Sequence, residues 1–463
     1  MNLKIKDIIK CTNGNLIIGN EELECENFTK DTRVIKQGDT YIAIKGTNYN
    51  GNLFWKEAFE KGADTVIVEK IELNEEEIEK FQDKNIIQVK DTKIALKQIA
   101  IAKRNLYKDL IVVGVTGSVG KTSTKDIIAN VLAQKYKTLK TEGNNNNDIG
   151  LPFTILKLKD HEVAVIEMGM NHLGEISELS KIARPSIGVI TNIGTSHIGN
   201  LGSRENILKA KLEILEGMDD KKLVINNDND LLHNLKNDDI NIHTFGIKNE
   251  SECMAEKIEK YENETKFICN YKVEKININV PVGGDVFVLN SLCAVSVGKM
   301  LNLSNEEIKN GISNFELTKK RMEIINLKNN IKLINDAYNA SEDSMKAAIK
   351  YLSEINGKRK IAILGDMFEL GDFAEELHRK VGEEVAKNNI DLLYLIGENS
   401  KFIQEEAIKN GINNIIYFNS REEIIEKVKK EMKEEDVILL KASNGMKLFE
   451  IAEKLKEEVG SWK

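Results

Sequence analysis

The chain has 463 residues, of which 41% are hydrophobic and 30% are charged, and its formal net charge is −8. This length is too great for one hydrophobic core and predicts three domains with clefts between them. The composition is typical of a folded globular protein and argues against extended disorder. The sequence has no basic block with interleaved aromatic residues, which disfavours nucleic acid as the main partner.

The sequence also bears on location and redox state. No apolar run reaches the roughly 18 residues that a membrane-spanning helix needs, and residues 1–10 lack the apolar core of a signal peptide. We therefore expect a cytoplasmic protein without membrane insertion. The five cysteines are scattered without a C-x-x-C pair, and they indicate neither a disulfide framework nor a zinc site.

The predicted elements begin with a small α/β domain at residues 1–106. A strand-like run at 38–46 precedes a helix at 55–62 and a strand at 65–68. Residues 107–318 form a predicted central domain with longer strand–helix alternation, as expected of a mainly parallel, P-loop ATPase-like sheet. Its buried strands are predicted at 110–113, 163–166 and 187–191.

Residues 319–463 form the third predicted domain. Apolar runs separated by helical stretches predict a doubly wound, Rossmann-like sheet. The runs are 331–334, 360–364, 392–396, 415–418 and 437–440. The fold class is therefore α/β with three domains.

A glycine-rich turn joins the first central strand to a predicted helix at 123–133. It reads Thr116-Gly117-Ser118-Val119-Gly120-Lys121-Thr122 and is called the phosphate loop below. In such a turn, backbone N–H groups and a helix N-terminus attract phosphate, a lysine neutralises phosphate oxygens and a threonine hydroxyl ligates Mg²⁺. Val115 stands where the usual pattern has its first glycine, so the turn predicts a variant nucleoside triphosphate site. A chance glycine-rich turn is the alternative.

Polar residues follow two of the buried strands. Glu167 ends the run 163–166, where a metal-binding carboxylate beside a phosphate loop would lie; a surface carboxylate is the alternative. His197 follows the strand at 187–191. A lone histidine in that position is more often a hydrogen-bonding loop residue than a ligand.

Lys211 lies on the apolar face of a helix that we predict to start after Ser203. The other residues of that face are Ile207, Leu208, Leu212, Ile214 and Leu215. Because a buried, unpaired ammonium is costly, this lysine predicts a bound partner, a lowered pKa or a covalent modification. A long side chain that reaches solvent is the alternative. Lys209, Glu213 and Glu216 lie on the opposite side and are expected to be solvated.

Two further polar segments could face the same cleft. The asparagine run 144–147 could bind phosphate or sugar, or could only form turns. Asp336 and Tyr338 follow the strand at 331–334 and predict a ribose or base contact. Residues 365–367 and 441–443 also end strands of the third domain.

These segments resemble the Mur ligase family, the ATP-dependent amide-forming enzymes of cell-wall precursor synthesis. The resemblance runs from residue 31 to residue 443, and its most specific part is the phosphate loop, whose missing first glycine the family explains. Segments 143–152, 167–170 and 365–371, with His378, are similar to the member that joins D-alanyl-D-alanine to a UDP-N-acetylmuramoyl tripeptide.

The resemblance implies a role for each matching residue. The phosphate loop with Lys121 would hold the ATP phosphates, and Thr122, Glu167 and His197 would bind Mg²⁺. Lys211 would be carbamylated and would ligate a second Mg²⁺. Lys121, Lys211 and His197 are thus the expected catalytic residues.

The resemblance also implies the substrate contacts. Asn290, Arg321 and Asp336 match nucleotide-contacting positions, with Tyr338 beside the ribose or adenine. The expected substrate-binding residues are Thr32, Arg33, Lys45, Gly46, Asn144, Asn146 and Asn147, the first four for the uridine diphosphate. The chain departs from the family at Thr32, where serine is commoner, and at Asn444, where an arginine is usual.

The implied activity is ligation through an acyl phosphate, with ATP, a UDP-N-acetylmuramoyl tripeptide and D-alanyl-D-alanine as substrates. We expect a monomer whose third domain closes over the reactants. Two alternatives stay open: a family member that adds the third peptide residue, and a P-loop NTPase that drives a conformational switch. Segment 365–378 argues against the ligase that adds the third residue. The sequence shows no membrane segment, coiled coil or nucleic-acid patch that would support a switch-type NTPase.

Overall fold

The computed structural model describes residues 1–46 and 49–460. Successive parts of the chain form an N-terminal, a central and a C-terminal unit, and each is built on its own sheet. Within the described residues, no helix combines the length and apolarity needed to cross a membrane.

The N-terminal unit is a mostly parallel sheet with helices. Its strands are β1 (Leu3–Lys4), β2 (Asn15–Ile18), β3 (Glu24–Cys25), β4 (Phe28–Thr29), β5 (Thr40–Ile42), β6 (Thr65–Val68) and β7 (Asn85–Gln88). Its helices are α1 (Ile5–Thr12), α2 (Trp55–Glu60), α3 (Glu75–Lys80) and α4 (Thr92–Asn105). The five-stranded sheet has the order β2-β7-β6-β5-β4, and β1 pairs with β3 separately.

The central unit contains the phosphate loop. Its strands are β8 (Ile111–Thr116), β9 (Thr138–Lys140), β10 (Val163–Glu167), β11 (Ile187–Ile190), β12 (Lys222–Asn226), β13 (Asn241–Gly246), β14 (Cys253–Lys260), β15 (Thr265–Tyr271) and β16 (Glu274–Val280). Its helices are α5 (Lys121–Leu132), α6 (Gly150–Leu156), α7 (Glu175–Ala183), α8 (Ile198–Leu201), α9 (Arg204–Leu212), α10 (Asp230–His233), α11 (Asp285–Met300) and α12 (Asn305–Ser313). Helix α4 of the N-terminal unit packs on α6 and α7.

The central sheet has the order β16-β15-β14-β13-β12-β11-β8-β10-β9. Strands β8 to β14 are paired in parallel, whereas β14, β15 and β16 form antiparallel pairs. The strands nearest the phosphate loop are buried on both faces, as a parallel sheet covered by helices requires. All five cysteines are free thiols, and Cys253, Cys269 and Cys293 lie together in the core beside the antiparallel strands.

The C-terminal unit is a doubly wound sheet with the antiparallel strand β17 at its edge. Its strands are β17 (Glu323–Asn326), β18 (Lys332–Asn335), β19 (Arg359–Gly365), β20 (Leu392–Ile396), β21 (Ile415–Phe418) and β22 (Asp436–Lys441). Its helices are α13 (Glu342–Glu354), α14 (Ala374–Lys387), α15 (Ser400–Lys409), α16 (Arg421–Glu431) and α17 (Phe449–Val459). The strand order is β17-β18-β22-β19-β20-β21.

The predicted fold class is confirmed: the chain is a three-unit α/β protein with mainly parallel sheets. Strands β6, β20 and β21 have the predicted bounds, whereas α2 ends at Glu60 rather than residue 62. The predicted domain boundaries near residues 106 and 318 stay predictions.

Candidate active site

A cavity of about 670 Å³ lies where the central and C-terminal units face each other. Its walls are loops that follow β8, β10 and β11 on one side and β18, β19 and β22 on the other. The carboxyl ends of two parallel sheets thus meet at one place, which is where open α/β sheets bind ligands. The predicted site residues that line it are Ser118, Val119, Gly120, Lys121, Thr122, Asn144, Asn146, Asn147, Glu167, His197, Lys211, Arg321, Asp336 and Tyr338.

The phosphate loop is fixed from beneath by the end of β11. Asn192 Oδ1 accepts a hydrogen bond of 2.8 Å from the Val119 N–H, and Thr191 Oγ1 donates one of 2.6 Å to the Val119 carbonyl. Gly117 has φ +151°, and a Cβ at this position would overlap the Thr191 side chain. Only glycine therefore lets the loop lie this close to its neighbour.

Lys121 begins α5 and folds back over the phosphate loop. Its Nζ donates a hydrogen bond of 2.7 Å to the Gly117 carbonyl. Burial lowers the pKa of Lys121; the nearby Arg321 lowers it further and Glu167 opposes both. The amine is thus already at the place where phosphate oxygens would be bound.

Glu167 and Thr122 form the acidic corner of the cavity. In the sheet, Glu167 pairs with Val115, the residue directly before the phosphate loop. The Thr122 hydroxyl donates a 2.9 Å hydrogen bond to Glu167 Oε2, and Asn146 Nδ2 donates one of 2.8 Å to Oε1. The carboxylate is 1% exposed, so it is not the surface carboxylate of the alternative; metal binding by Glu167 stays a prediction.

Lys211 is 2% exposed, so its amine does not reach solvent as a snorkelling side chain would. Among the described residues it has no hydrogen-bond or salt-bridge partner, and it lines the cavity. Burial, with a smaller contribution from Lys121, lowers its pKa well below the ordinary value. The surroundings of Lys211 thus favour the neutral amine more than water does.

The expectation that Glu213 and Glu216 are merely solvated is wrong. Glu213 Oε1 accepts a 2.7 Å hydrogen bond from the Gly174 N–H at the start of α7. Glu216 accepts one of 2.7 Å from the Ser177 hydroxyl. Both carboxylates lie near the N-terminus of α7, where the helix dipole favours negative charge.

His197 lies at the start of α8 and faces the C-terminal unit. Its side chain is 19% exposed, and its Nδ1 lies 2.5 Å from Glu369 Oε2. Ser196, beside it, donates a 3.2 Å hydrogen bond to the Ser118 carbonyl of the phosphate loop. This histidine therefore lies between the phosphate loop and the opposite wall.

The opposite wall contains an aromatic–cation stack and a buried ion pair. The guanidinium carbon of Arg321 lies 4.0 Å from the centre of the Tyr338 ring. Lys441 Nζ lies 2.5 Å from Asp336 Oδ2; Lys441 ends β22, and Asp336 directly follows the neighbouring strand β18. The predicted nucleotide-contacting residues of the C-terminal unit are thus held in one cluster.

Some predicted residues do not line the cavity. Thr116 and Gly117 lie at the base of the phosphate loop. Asn290 lies under it on α11, where its Oδ1 accepts a 2.9 Å hydrogen bond from the Thr124 hydroxyl. Thr32, Arg33, Lys45 and Gly46 belong to the N-terminal unit. There Thr32 donates a 2.9 Å hydrogen bond to Glu57, and Arg33 pairs with Asp31.

Sequence reasoning missed several residues of the site. Asn192 orients the phosphate loop, and Asp285, Lys350 and Phe368 line the cavity. Phe368 lies inside segment 365–371 and Asn192 directly follows the predicted strand at 187–191, so the position of each residue after a strand could have revealed it. Asp285 and Lys350 carried none, because only the tertiary fold places them at the cavity.

The fold and the site together define a class of protein: a P-loop nucleotide-binding enzyme whose C-terminal Rossmann-like unit covers the phosphate loop. Three family models match the chain in order: "Mur ligase family, catalytic domain" at 26–104, "Mur ligase middle domain" at 115–298 and "Mur ligase, glutamate ligase domain" at 320–444.

Named proteins are similar over the whole chain. The UDP-N-acetylmuramoyl-tripeptide–D-alanyl-D-alanine ligase of Bacillus subtilis (strain 168) is 37% identical, with 98% of each chain covered. A crystal structure of MurF from Acinetobacter baumannii has a TM-score of 0.88 at 28% identity, with 99% of each chain covered. MurF ligase from Thermotoga maritima in complex with ADP has a TM-score of 0.81 at 27% identity and covers 94% of this chain and 98% of its own. The chain belongs to the Mur ligase family.

Proposed function

We propose that this protein joins D-alanyl-D-alanine to a UDP-N-acetylmuramoyl tripeptide, with hydrolysis of ATP to ADP and phosphate. The observation that carries the proposal is the full-length similarity to ligases named for this reaction, at 37% identity over 98% of both chains. The site agrees with it, because the cavity combines a phosphate loop with a second wall that could hold an acceptor. Such a reaction belongs to cell-wall precursor synthesis in the cytoplasm, where ATP is available.

The chemistry proceeds in two displacements. A carboxylate is a poor electrophile, so the terminal carboxylate of the tripeptide first attacks the γ-phosphorus of ATP and ADP leaves. The dipeptide amine then attacks the acyl carbon of the resulting acyl phosphate, loses a proton, and phosphate leaves. Both steps depend on alignment of the reactants and exclusion of water, which would hydrolyse the acyl phosphate.

The proposed nucleotide site extends from the phosphate loop to the Arg321–Tyr338 stack. The loop's N–H groups and Lys121 would bind the phosphates, and Tyr338 would lie beside the ribose or adenine. Asn290 supports this placement, because its buried Nδ2 has no hydrogen-bond partner among the described residues and it lies under Gly120. Asp336 would fix the stack through its bond of 3.1 Å from the Met322 N–H.

The residues at the acidic corner fit Mg²⁺. Thr122 and Glu167 supply oxygen ligands directly beside the phosphate loop, and His197 adds a nitrogen nearby. Among the described residues, no group of three or more acidic, histidine or cysteine side chains is placed to hold a metal ion. Phosphate oxygens and water would supply the remaining ligands. When bound, Mg²⁺ would offset negative charge on the transferring phosphoryl group.

Lys211 is the proposed carbamate. A neutral, buried amine without a partner can attack carbon dioxide and release a proton, giving an anion that suits a second Mg²⁺. The test is ¹³C NMR of the protein in ¹³C-bicarbonate. We expect a carbamate signal that disappears in Lys211→Ala and persists in Lys209→Ala, whose lysine is exposed on the same helix. A signal that is absent from the wild type, or persists in Lys211→Ala, would remove this role.

The uridine diphosphate is proposed to bind the N-terminal unit at Thr32, Arg33, Lys45 and Gly46. Arg33 is well exposed and so accessible to a diphosphate. The tripeptide would then extend towards the cavity, where Asn144, Asn146 and Asn147 line the wall. Charge-reversal at Arg33 should weaken binding of UDP without altering ADP binding, as measured by calorimetry.

The deciding assay measures phosphate release from ATP with the tripeptide substrate, with and without D-alanyl-D-alanine, and identifies the product by mass. Release that requires both substrates and yields a pentapeptide supports the proposal. A product formed with a free diamino acid instead would indicate the ligase that adds the third residue. Release without either substrate and without a new amide would indicate a switch-type NTPase.

A further inference from the structure

A short segment of the C-terminal unit, residues 369–371, contacts His197 and its loop and is called the docking segment below. Its backbone meets the loop that carries His197: the Gly199 N–H donates a 3.1 Å hydrogen bond to the Glu369 carbonyl. A Cβ on Gly199 would lie 2.5 Å from the Gly371 nitrogen and 2.7 Å from the Glu369 oxygen. The two backbones are therefore in direct contact, and a methyl group would separate them.

The docking segment is held firmly within its own unit. His378 is fully buried, and its Nε2 accepts a 3.0 Å hydrogen bond from the Met367 N–H while its Nδ1 bonds the Ala374 carbonyl. Phe368 N–H donates a 2.8 Å hydrogen bond to the Ser443 hydroxyl. Glu369 itself has φ +63°, a left-handed conformation that is unfavourable for a residue with a side chain. The fold thus fixes the backbone from which the Glu369 side chain extends.

The loop of His197 is equally tied to the phosphate loop. Gly194 N–H donates a 2.9 Å hydrogen bond to the Ser118 hydroxyl, and Ser196 bonds the Ser118 carbonyl. His197 also has a positive φ, +63°. These hydrogen bonds hold the backbone of the His197 loop in place. The orientation of the imidazole ring depends on what the ring itself contacts.

Glu369 is placed to set that orientation. Its Oε2 lies 2.5 Å from His197 Nδ1, a buried atom that has no in-line hydrogen bond to any described residue. A carboxylate this close to Nδ1 favours a proton on that nitrogen, which would leave a free lone pair on Nε2. The group beside one ring nitrogen thus decides what the other can do.

We propose that Glu369 is a positioning residue that fixes the ring and tautomer of His197 across the interface, so that His197 is correctly presented only when the C-terminal unit is docked. The proposal rests on the proposed function for its consequence in catalysis. The orientation itself follows from the contact between the two units. Closure would then complete the site as well as cover it.

The test compares Glu369→Ala, Glu369→Gln and the control Asp372→Asn. Asp372 is an exposed carboxylate next to the docking segment, and the described residues show no ion pair for it. The first readout is ¹⁵N NMR of the ring nitrogens in protein labelled at its six histidines. We expect one dominant tautomer for His197 in the wild type and in Asp372→Asn, a mixture in Glu369→Ala, and an intermediate state in Glu369→Gln, whose carbonyl can still accept.

The second readout is steady-state kinetics. Removal of a carboxylate that orients a ligating histidine typically lowers activity about 10- to 100-fold. We expect such a loss in kcat for Glu369→Ala with KM for ATP little changed, a smaller loss for Glu369→Gln and none for Asp372→Asn. Unchanged His197 signals in Glu369→Ala, or unchanged kcat, would overturn the proposal. If the wild type forms no pentapeptide, the proposed function fails, while the ring-nitrogen spectra still decide the positioning.

Discussion

The two walls of the cavity are built on different principles. On the central wall, Thr122, Glu167 and Lys211 are each at most 3% exposed, and hydrogen bonds from Thr122 and Asn146 hold the Glu167 carboxylate. On the C-terminal wall, Phe368 is 44% exposed and the Glu369 side chain 50% exposed. The central wall therefore holds its charged groups in fixed positions before any ligand binds. The exposed groups of the C-terminal wall act on the site only when that unit lies against the central unit. The central unit thus holds the charged groups in place, and the position of the C-terminal unit decides when the site is complete.

The largest loss of activity is expected when the Lys121 side chain is removed from the central wall. Lys121→Ala removes the cation of the phosphate loop, and loss of one such preorganised group costs about 10²- to 10³-fold in kcat. Pentapeptide formation by mass spectrometry measures it. Lys209→Ala serves as the control, since that lysine is exposed on α9. Activity within a few-fold of the wild type in Lys121→Ala would contradict the assignment.

The next effect should come from separating the walls at Gly199. In Gly199→Ala the new methyl group meets the backbone of residues 369–371 at 2.5–2.7 Å, so the C-terminal unit must move away. We expect a larger radius of gyration by X-ray scattering and a kcat reduced about tenfold or more. Asn200→Ala, next in the chain and exposed, should leave both unchanged. An equally compact and active Gly199→Ala protein would show that this contact does not control closure.

A moderate effect, on stability, is expected at Lys211. Because burial lowers its pKa, the folded state binds fewer protons than the unfolded state between that pKa and the ordinary value of 10.5, so wild-type stability should rise with pH through this range. Lys211→Met removes a buried group without a partner and should raise the free energy of unfolding at neutral pH by about 1–3 kcal/mol. It should also remove the part of the pH dependence that Lys211 contributes.

Denaturation in bicarbonate-free buffer at neutral and alkaline pH measures both quantities. Lys209→Met controls for the loss of a charge alone. A Lys211→Met protein that is less stable than the wild type would mean that the amine has a partner after all.

The smallest effect is expected where the walls are joined by exposed ion pairs. Asp285 on α11 lies 2.8 Å from Lys260 and 2.9 Å from Lys350 of the C-terminal unit, and these side chains are a third or more exposed. Asp285→Asn should cost at most about 1 kcal/mol of stability. The cost should vanish at about 1 M salt, where screening acts within about 3 Å. A cost that persists at high salt in thermal denaturation would point to a role beyond charge pairing.

The two walls also differ in how far the sequence predicts them. The phosphate loop, Glu167 and Lys211 follow from local patterns, since a strand end or a helix face places each of them directly. Strands β20 and β21 follow in the same way from short apolar runs. The partner of His197 does not, because Glu369 lies 172 positions further along, and only docking of the two units brings them together.

The missed strands have a related cause. Strands β14 to β16 alternate between buried and exposed residues and carry many charges, so they lack the continuous apolar runs that mark the parallel strands. Strand β17 is a four-residue edge strand without a fully buried position. Glu213 and Glu216 have charged side chains on an outward face, and nothing in their spacing reveals that α7 begins beside them.

Lys121 folded onto the Gly117 carbonyl has a consequence for nucleotide affinity. In the free protein, Lys121 Nζ already donates a hydrogen bond of 2.7 Å to the Gly117 carbonyl. A phosphate that binds Lys121 must therefore replace the Gly117 carbonyl as its hydrogen-bond acceptor. The net gain in binding free energy is then smaller than the charge attraction alone would give. A small anion such as sulfate must also replace the Gly117 carbonyl, but it makes fewer other contacts with the loop. We therefore expect sulfate to compete poorly with a nucleoside triphosphate.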